Sequence, residues 1–250
     1  MSNCPSCGNE NVANAKFCEF CGSSLVNHGK PSSKTNQGSK TQSSGSLLDS
    51  IIPEEWQRPT MYLVFVNMGM YVVTTILGRS FIITGELPIV LFGFSIYGFL
   101  HGLIWTPVTS IFTHGSIAHI GGNMIFLLIF GLRLEDRNYS DKGIYYAYLI
   151  IGVASGILSS VFFSIYSVSV GASGAVFGLI GVNAGIERRE GDPNYKRVLM
   201  VSGILFIMSS APNTNVFDHL IGLIIGYYMG KSEWYGQFDL SMKKIQHDLR

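Results

Sequence analysis

The sequence predicts an all-α polytopic membrane protein, a bundle of six spanning helices preceded by a small zinc-binding module. Three observations carry that expectation. Only 13% of the 250 residues are charged while 47% are hydrophobic, and the apolar residues fall in long blocks. The basic residues gather in short segments between those blocks. All four cysteines lie within the first 21 positions, in two Cys-x-x-Cys pairs. The net charge of +1 gives no sign of a polyanionic partner, and no nucleic acid is expected.

The pairs read Cys4-Pro5-Ser6-Cys7 and Cys18-Glu19-Phe20-Cys21, each followed by a glycine, Gly8 and Gly22. Such turns aim paired thiolates at one point, and four converging sulfurs suit a tetrahedral Zn2+. The competing reading is two disulfides in a secreted segment. Residues 1–25 are too few to bury a core, so metal binding would supply their fold. The stretch CPSCGNENVANAKFCEFCG resembles the zinc-ribbon modules found at protein termini. A protein partner docking on it is a further expectation. The first 30 residues lack an apolar core, so no cleavable signal peptide is expected. Residues 26–55 read as a linker, rich in Ser, Gly, Gln and Lys over 27–46, with no periodicity to order them. Residues 47–59 form an amphipathic lead-in whose Trp56 and Arg58 suit a membrane surface.

Apolar runs of spanning length occur near 60–78, 114–132, 143–163, 171–187, 197–211 and 216–230. A further run, 87–105, is interrupted by Pro88, His101 and several glycines. Charge decides its status. Reduced, zinc-binding cysteines place the N-terminus in the cytosol. With six spans, Arg133, Arg137 and Lys142, then Arg188, Arg189, Lys196 and Arg197, and the C-terminal Lys231, Lys243 and Lys244 all face the cytosol as well. Only Arg79 of the 17 basic residues is then outside. A seventh span would break this order, so 87–105 is expected to be an interfacial or re-entrant loop on the outer side. The domain expectation is a membrane domain over 56–232 and a cytosolic C-terminal tail over 233–250. The setting expected is a bacterial plasma membrane, with both termini cytosolic.

That topology places polar side chains from three spans at one depth. The second span enters from outside near His114, which puts His119 and Asn123 in its outer half. The fourth starts outside at Ser173, and the sixth starts near Asn215 with His219 one turn in. Intramembrane polar residues are expensive, and their convergence marks a site. His119 and Asn123 share one helix face at i, i+4. His219, Gly222, Gly226 and Gly230 form another face, which admits a close neighbour. The stretch Gly171-Ala172-Ser173-Gly174-Ala175-Val176-Phe177-Gly178, taken alone, is equally a small-residue packing seam or a nucleophile site. Taken with the histidines, a Ser173–His219 dyad is expected, since serine needs a base. A helix N-terminus offers unpaired N–H groups to a developing oxyanion, with His119 and Asn123 as further donors. Asp218 precedes His219, but adjacent helical side chains diverge by roughly 100°, so no triad role is expected for it.

These residues resemble the rhomboid intramembrane serine proteases. GASGAVFG resembles the family's GxSG motif, with Gly171 and Gly174 around Ser173. His114, His119 and Asn123 resemble its H-x4-H-x3-N motif, and His219, Gly222 and Gly226 its H-x2-G-x3-G motif. The resemblance implies a six-helix rhomboid-like bundle and a serine endopeptidase needing no cofactor for catalysis. It also implies a Ser173–His219 dyad and an oxyanion hole of Asn123, His119 and the Ser173 N–H, with His114 in support. The implied substrates are transmembrane proteins, single-span or polytopic, cut near the outer face where small and helix-breaking residues lie. Glu135-Asp136-Arg137 resembles the family's acidic-basic run after the second span. One departure is Trp105-Thr106, where the family commonly has Trp-Arg.

Overall fold

The computed structural model describes residues 2–3, 10–12, 56, 58–137, 140–209 and 214–248. The chain divides into two units, Met1–Gln42 and Ser43–Arg250. In the first, strands β1 (Ser2–Asn3) and β2 (Glu10–Asn11) pair antiparallel, with Ser2 opposite Asn11 and Asn3 opposite Glu10. The four cysteines and the expected linker lie outside the described residues.

Among its described residues the second unit is built of helices, with isolated β-bridges at Ile83–Ser116 and Phe94–Ser169. Helices α1 (Pro59–Gly78), α5 (Ile117–Asp136) and α6 (Asp141–Ser160) have 20 residues each. At 1.5 Å per residue each reaches about 30 Å, the thickness of the hydrocarbon core. By length and composition these three are able to cross a membrane. Helices α7 (Ser173–Arg189), α8 (Tyr195–Ser209) and α9 (Val216–Lys231) occupy the other three expected stretches but have 17, 15 and 16 residues. Local chemistry sets the starts. Ser116 accepts the His119 N–H at 3.2 Å, Ser140 the Gly143 N–H at 3.0 Å and Asn215 the Asp218 N–H at 3.0 Å, and Pro59 opens α1, all standard N-terminal devices.

The run at 87–105 does not form one helix. It breaks into α2 (Glu86–Phe92), α3 (Ile96–Leu100) and α4 (Thr106–Thr109), followed by a 3₁₀ turn at Ser110–Phe112. Gly93 and Gly102 lie at the breaks, Pro88 falls within the first turn of α2, and none of the pieces is long enough to span. Leu87, Leu100 and Ile104 are more than half exposed, as are Val66, Val72 and Ile76 on α1 and Ile207 and Met208 on α8. Apolar surface on this scale suits lipid and not water.

Helix α7 is the core. Every residue from Gly174 to Glu187 is buried, enclosed by α5, α6, α8 and above all α9. Backbone meets backbone along the α7–α9 contact: Gly222 lies on the Gly174 carbonyl, Gly226 on the Gly178 carbonyl and Gly230 on that of Val182. No side chain fits between them. The expected packing seam is therefore present, running through Gly174 and Gly178 beside the serine.

Residues 233–250, expected to be a tail, carry helix α10 (Glu233–Asp248). It docks on the start of α6, where the buried Tyr235 hydroxyl donates to the Gly143 carbonyl at 3.0 Å. Asp239 accepts from the Ser140 N–H at 2.7 Å and from the Ser140 hydroxyl at 2.6 Å. Composition reads as a tail here because Tyr235 and Asp239, the buried residues among 233–242, stand in a polar stretch.

Candidate active site

Ser173 is the first residue of α7, and the chain reaches it by a constrained path. Gly171 has φ +128°, a conformation open to glycine and strained for any residue with a Cβ. A Cβ there would sit 2.7 Å from Cε1 and 2.8 Å from Nε2 of His119, and 3.8 Å from Ser173 Oγ. Gly171 is thus the point at which the His119 ring and the serine meet. Its own N–H donates to the Ser110 carbonyl at 2.9 Å.

Two histidines hold this corner in different ways. His114 is fully buried, with Nδ1 3.2 Å from the Phe112 carbonyl and Nε2 accepting from the Ala172 N–H at 3.4 Å. It fixes the backbone just before Ser173 and is not among the residues that line the cavity beside the serine. His119 Nδ1 accepts from the Gly115 N–H at 3.4 Å, which places the ring proton on Nε2, against Gly171. Asn123 is 7% exposed and donates one amide hydrogen to the His119 carbonyl at 3.0 Å, leaving its second hydrogen for another acceptor.

His219 is 3% exposed and stacks on Phe177, ring centroids 4.6 Å apart at 12°. Phe177 is four residues after Ser173 and so on its face of α7; the imidazole lies one turn below the serine. Among the described residues no hydrogen bond joins the two. The Asp218 carboxylate turns away from His219, lying against Gly174 and the Ser155 hydroxyl. Ser173, His119 and Asp218 line a cavity of about 640 Å³, together with Phe94, Phe163, Asn215 and the segment Ser167–Val170. That segment is held in place by paired hydrogen bonds between Phe94 and Ser169, 2.9 and 2.8 Å.

Residues 101–235, 135 of the chain's 250, match the family model of the rhomboid domain. The chain belongs to the rhomboid family. It is 27% identical over 201 residues to "Rhomboid-like protease 3" of Toxoplasma gondii, covering 76% of this chain and 74% of that protein. It is 33% identical over 132 residues to "RHOMBOID-like protein 6, mitochondrial" of Arabidopsis thaliana, covering 50% of this chain and 42% of that protein. With "Rhomboid-like protein 11, chloroplastic" of the same plant it shares 29% over 136 residues, 54% of this chain and 44% of that protein. The chain thus spans less than half of these plant relatives. These relatives are eukaryotic and lend no support to the bacterial setting expected from sequence. Residues 3–25 match the zinc-ribbon domain; Cys4 and Cys7 fall in sequence between the paired strands β1 and β2. Among the described residues no three His, Cys, Asp or Glu side chains are grouped to hold a metal.

Family membership and fold together make this a membrane protein, and the structure accounts for two motif features. The run Glu135-Asp136-Arg137 anchors the end of the bundle far from Ser173. Glu135 and Asp136 receive Arg58, the latter at 2.7 Å. Arg137 reaches Glu187 at 3.4 Å, Glu190 at 2.6 Å and Asp192 at 3.5 Å, while Arg133 meets the fully buried Glu187 at 2.5 Å. Outside this network, Thr106 is buried where the family resemblance called for arginine. Its hydroxyl donates to the Leu103 carbonyl at 2.7 Å, and Trp105 Nε1 donates to the Leu91 carbonyl at 2.9 Å. Both bonds tie this loop to its own backbone. Sequence reasoning missed Phe177 as the platform for His219, Ser209 as its hydrogen-bond partner, and Asn215 as the tie between α9 and the end of α6, where it donates to Ser159 Oγ at 2.9 Å.

Proposed function

We propose that the chain is an intramembrane serine endopeptidase that cleaves transmembrane proteins near the outer membrane face. Ser173 is the nucleophile and His219 the base. The observation that carries this reading is the position of Ser173: first residue of a buried helix, open to the cavity, beside the His119 Nε2 and one turn from the His219 ring.

In the proposed reaction, Ser173 Oγ attacks the peptide carbonyl while its proton passes to His219. The oxyanion that forms is held by the Ser173 N–H, the His119 Nε2–H and the free Asn123 amide hydrogen. The proton then moves from His219 to the leaving amine, and water releases the acyl group by the same route. Contacts between nucleophile and base often tighten only in the Michaelis complex, which accommodates the one-turn offset. A substrate helix must unwind before its carbonyl is exposed, so helix-breaking residues near the cut favour cleavage. The cavity supplies the water that the hydrocarbon excludes.

The same reading takes α1, α5, α6, α7, α8 and α9 as six spans, with the basic loops in the cytosol. It takes residues 1–25 as a module on one structural Zn2+ held by Cys4, Cys7, Cys18 and Cys21. The test is a serine-directed fluorophosphonate probe with a co-expressed single-span substrate. Wild type is labelled and cleaves; Ser173→Ala does neither while keeping its thermal midpoint, and His219→Ala loses cleavage. Cleavage retained by Ser173→Ala would sink the assignment.

A further inference from the structure

A histidine acts as base through one ring nitrogen only, and the other nitrogen's partner decides which. His219 Nδ1 lies 3.2 Å from Ser209 Oγ. Ser209 is the last residue of α8, and the same hydroxyl lies 3.1 Å from the Phe206 carbonyl. A carbonyl only accepts, and a hydroxyl carries a single hydrogen. With that hydrogen donated to Phe206, the Ser209 oxygen meets Nδ1 as an acceptor. The ring proton is then on Nδ1, and the lone pair is on Nε2.

We propose that Ser209 is the positioning residue for His219, fixing the tautomer whose Nε2 receives the proton of Ser173. The proposal rests on His219 being the base. Stacking on Phe177 at 12° sets the plane of the imidazole and burial keeps water from its edges. Neither contact distinguishes Nδ1 from Nε2, since an aromatic face offers no directional acceptor. Ser209 does. Asp218, the nearest carboxylate in sequence, is turned to Gly174 and Ser155, so a neutral hydroxyl takes the place that an acidic residue has in a triad. The substituent is weaker: it orients the ring without supplying charge to the imidazolium.

The experiment measures the tautomer directly. Full-length protein in bicelles carries ¹⁵N-labelled histidine rings, and the His219 signals are assigned by their loss in His219→Gln. Wild type is expected to show Nδ1–H and an unprotonated Nε2. In Ser209→Ala the population shifts toward Nε2–H, and kcat for a single-span substrate falls about tenfold with little change in KM, the scale of one neutral hydrogen bond. Ser209→Thr, which keeps the hydroxyl, restores both. An Nε2–H tautomer in wild type overturns the proposal, and so does a tautomer unmoved by Ser209→Ala. If His219→Ala still cleaves, the base assignment falls, and the tautomer result, which needs no activity, distinguishes that failure from this one.

Discussion

At the scale of single residues, the site is set by what surrounds each polar group. Gly171 is the clearest case. A methyl group there meets the His119 ring and forces φ +128° on a residue with a Cβ, costing about 1–3 kcal/mol. Gly171→Ala is therefore expected to lose probe labelling at Ser173 and to lower unfolding stability by that amount in a denaturation series. Wild-type labelling rates in this variant would show that the approach of His119 to the serine is unimportant. Asp218 leads to the opposite expectation. Its carboxylate faces Gly174 and Ser155, so Asp218→Asn keeps appreciable cleavage, read as kcat/KM on a single-span substrate. Complete loss there would make Asp218 a third member beside the proposed Ser173–His219 dyad. Thr106 adds a third point at this scale: its buried hydroxyl is satisfied within its own loop, by the Leu103 carbonyl.

At the scale of elements, the pairing of α7 with α9 is what brings Ser173 and His219 to one end of the bundle. Gly226 lies on the backbone of Gly178, and a Cβ would come 2.8 Å from its carbonyl carbon. Backbone cannot rotate aside as a side chain can, so α9 would have to shift. Gly226→Ala should cost about 1–3 kcal/mol and reduce cleavage, because His219 rides on the displaced helix. Gly203, mid-way along α8, has nothing within 4 Å of its added Cβ; Gly203→Ala is expected to leave stability unchanged or raise it. Equal losses at both sites would mean that helix propensity, and not the α7–α9 approach, governs the effect. Much of this scale was legible in the amino-acid order. The apolar runs lie within a few residues of α1, α5, α6, α7, α8 and α9, and polar residues in them stand out because lipid penalises each one. Ser209 and Phe177 did not stand out. A serine near the end of an apolar run and a phenylalanine inside another are ordinary, and only the crossing of α8, α7 and α9 gives them a partner. Helix α10 was hidden for a related reason: Tyr235 and Asp239 are two inward-facing residues in a polar stretch, and their receptor, at Ser140 and Gly143, is about a hundred residues away.

At the scale of the whole molecule, α7 divides the bundle into two chemical poles. Ser173 starts the helix and Glu187 sits 14 residues on, about 21 Å away. One pole holds the cavity with His114, His119 and His219; the other holds Arg58, Arg133, Arg137, Glu135, Asp136, Glu187, Glu190 and Asp192 in linked ion pairs. Between them the outward faces of α1, α5 and α8 are apolar, with Ile76, Ile125 and Ile207 more than half exposed. A bilayer fits this division in only two orientations, and the proposed reading, following the positive-inside rule, takes the one with the ion pairs in the cytosol. Gly102 and Gly191 allow a test, since each lies in a turn with open space around it and the two belong to opposite poles. A short epitope inserted at Gly102 should bind antibody on intact cells. The same epitope at Gly191 should bind only after the membrane is permeabilised. Both labelled on one side would mean that the three helices between them, α5, α6 and α7, do not all span, and a reversed pattern would place the serine in the cytosol. In that case the substrate would be cut at the inner end of its helix, and the basic loops would have crossed the membrane against the charge bias that otherwise explains their positions.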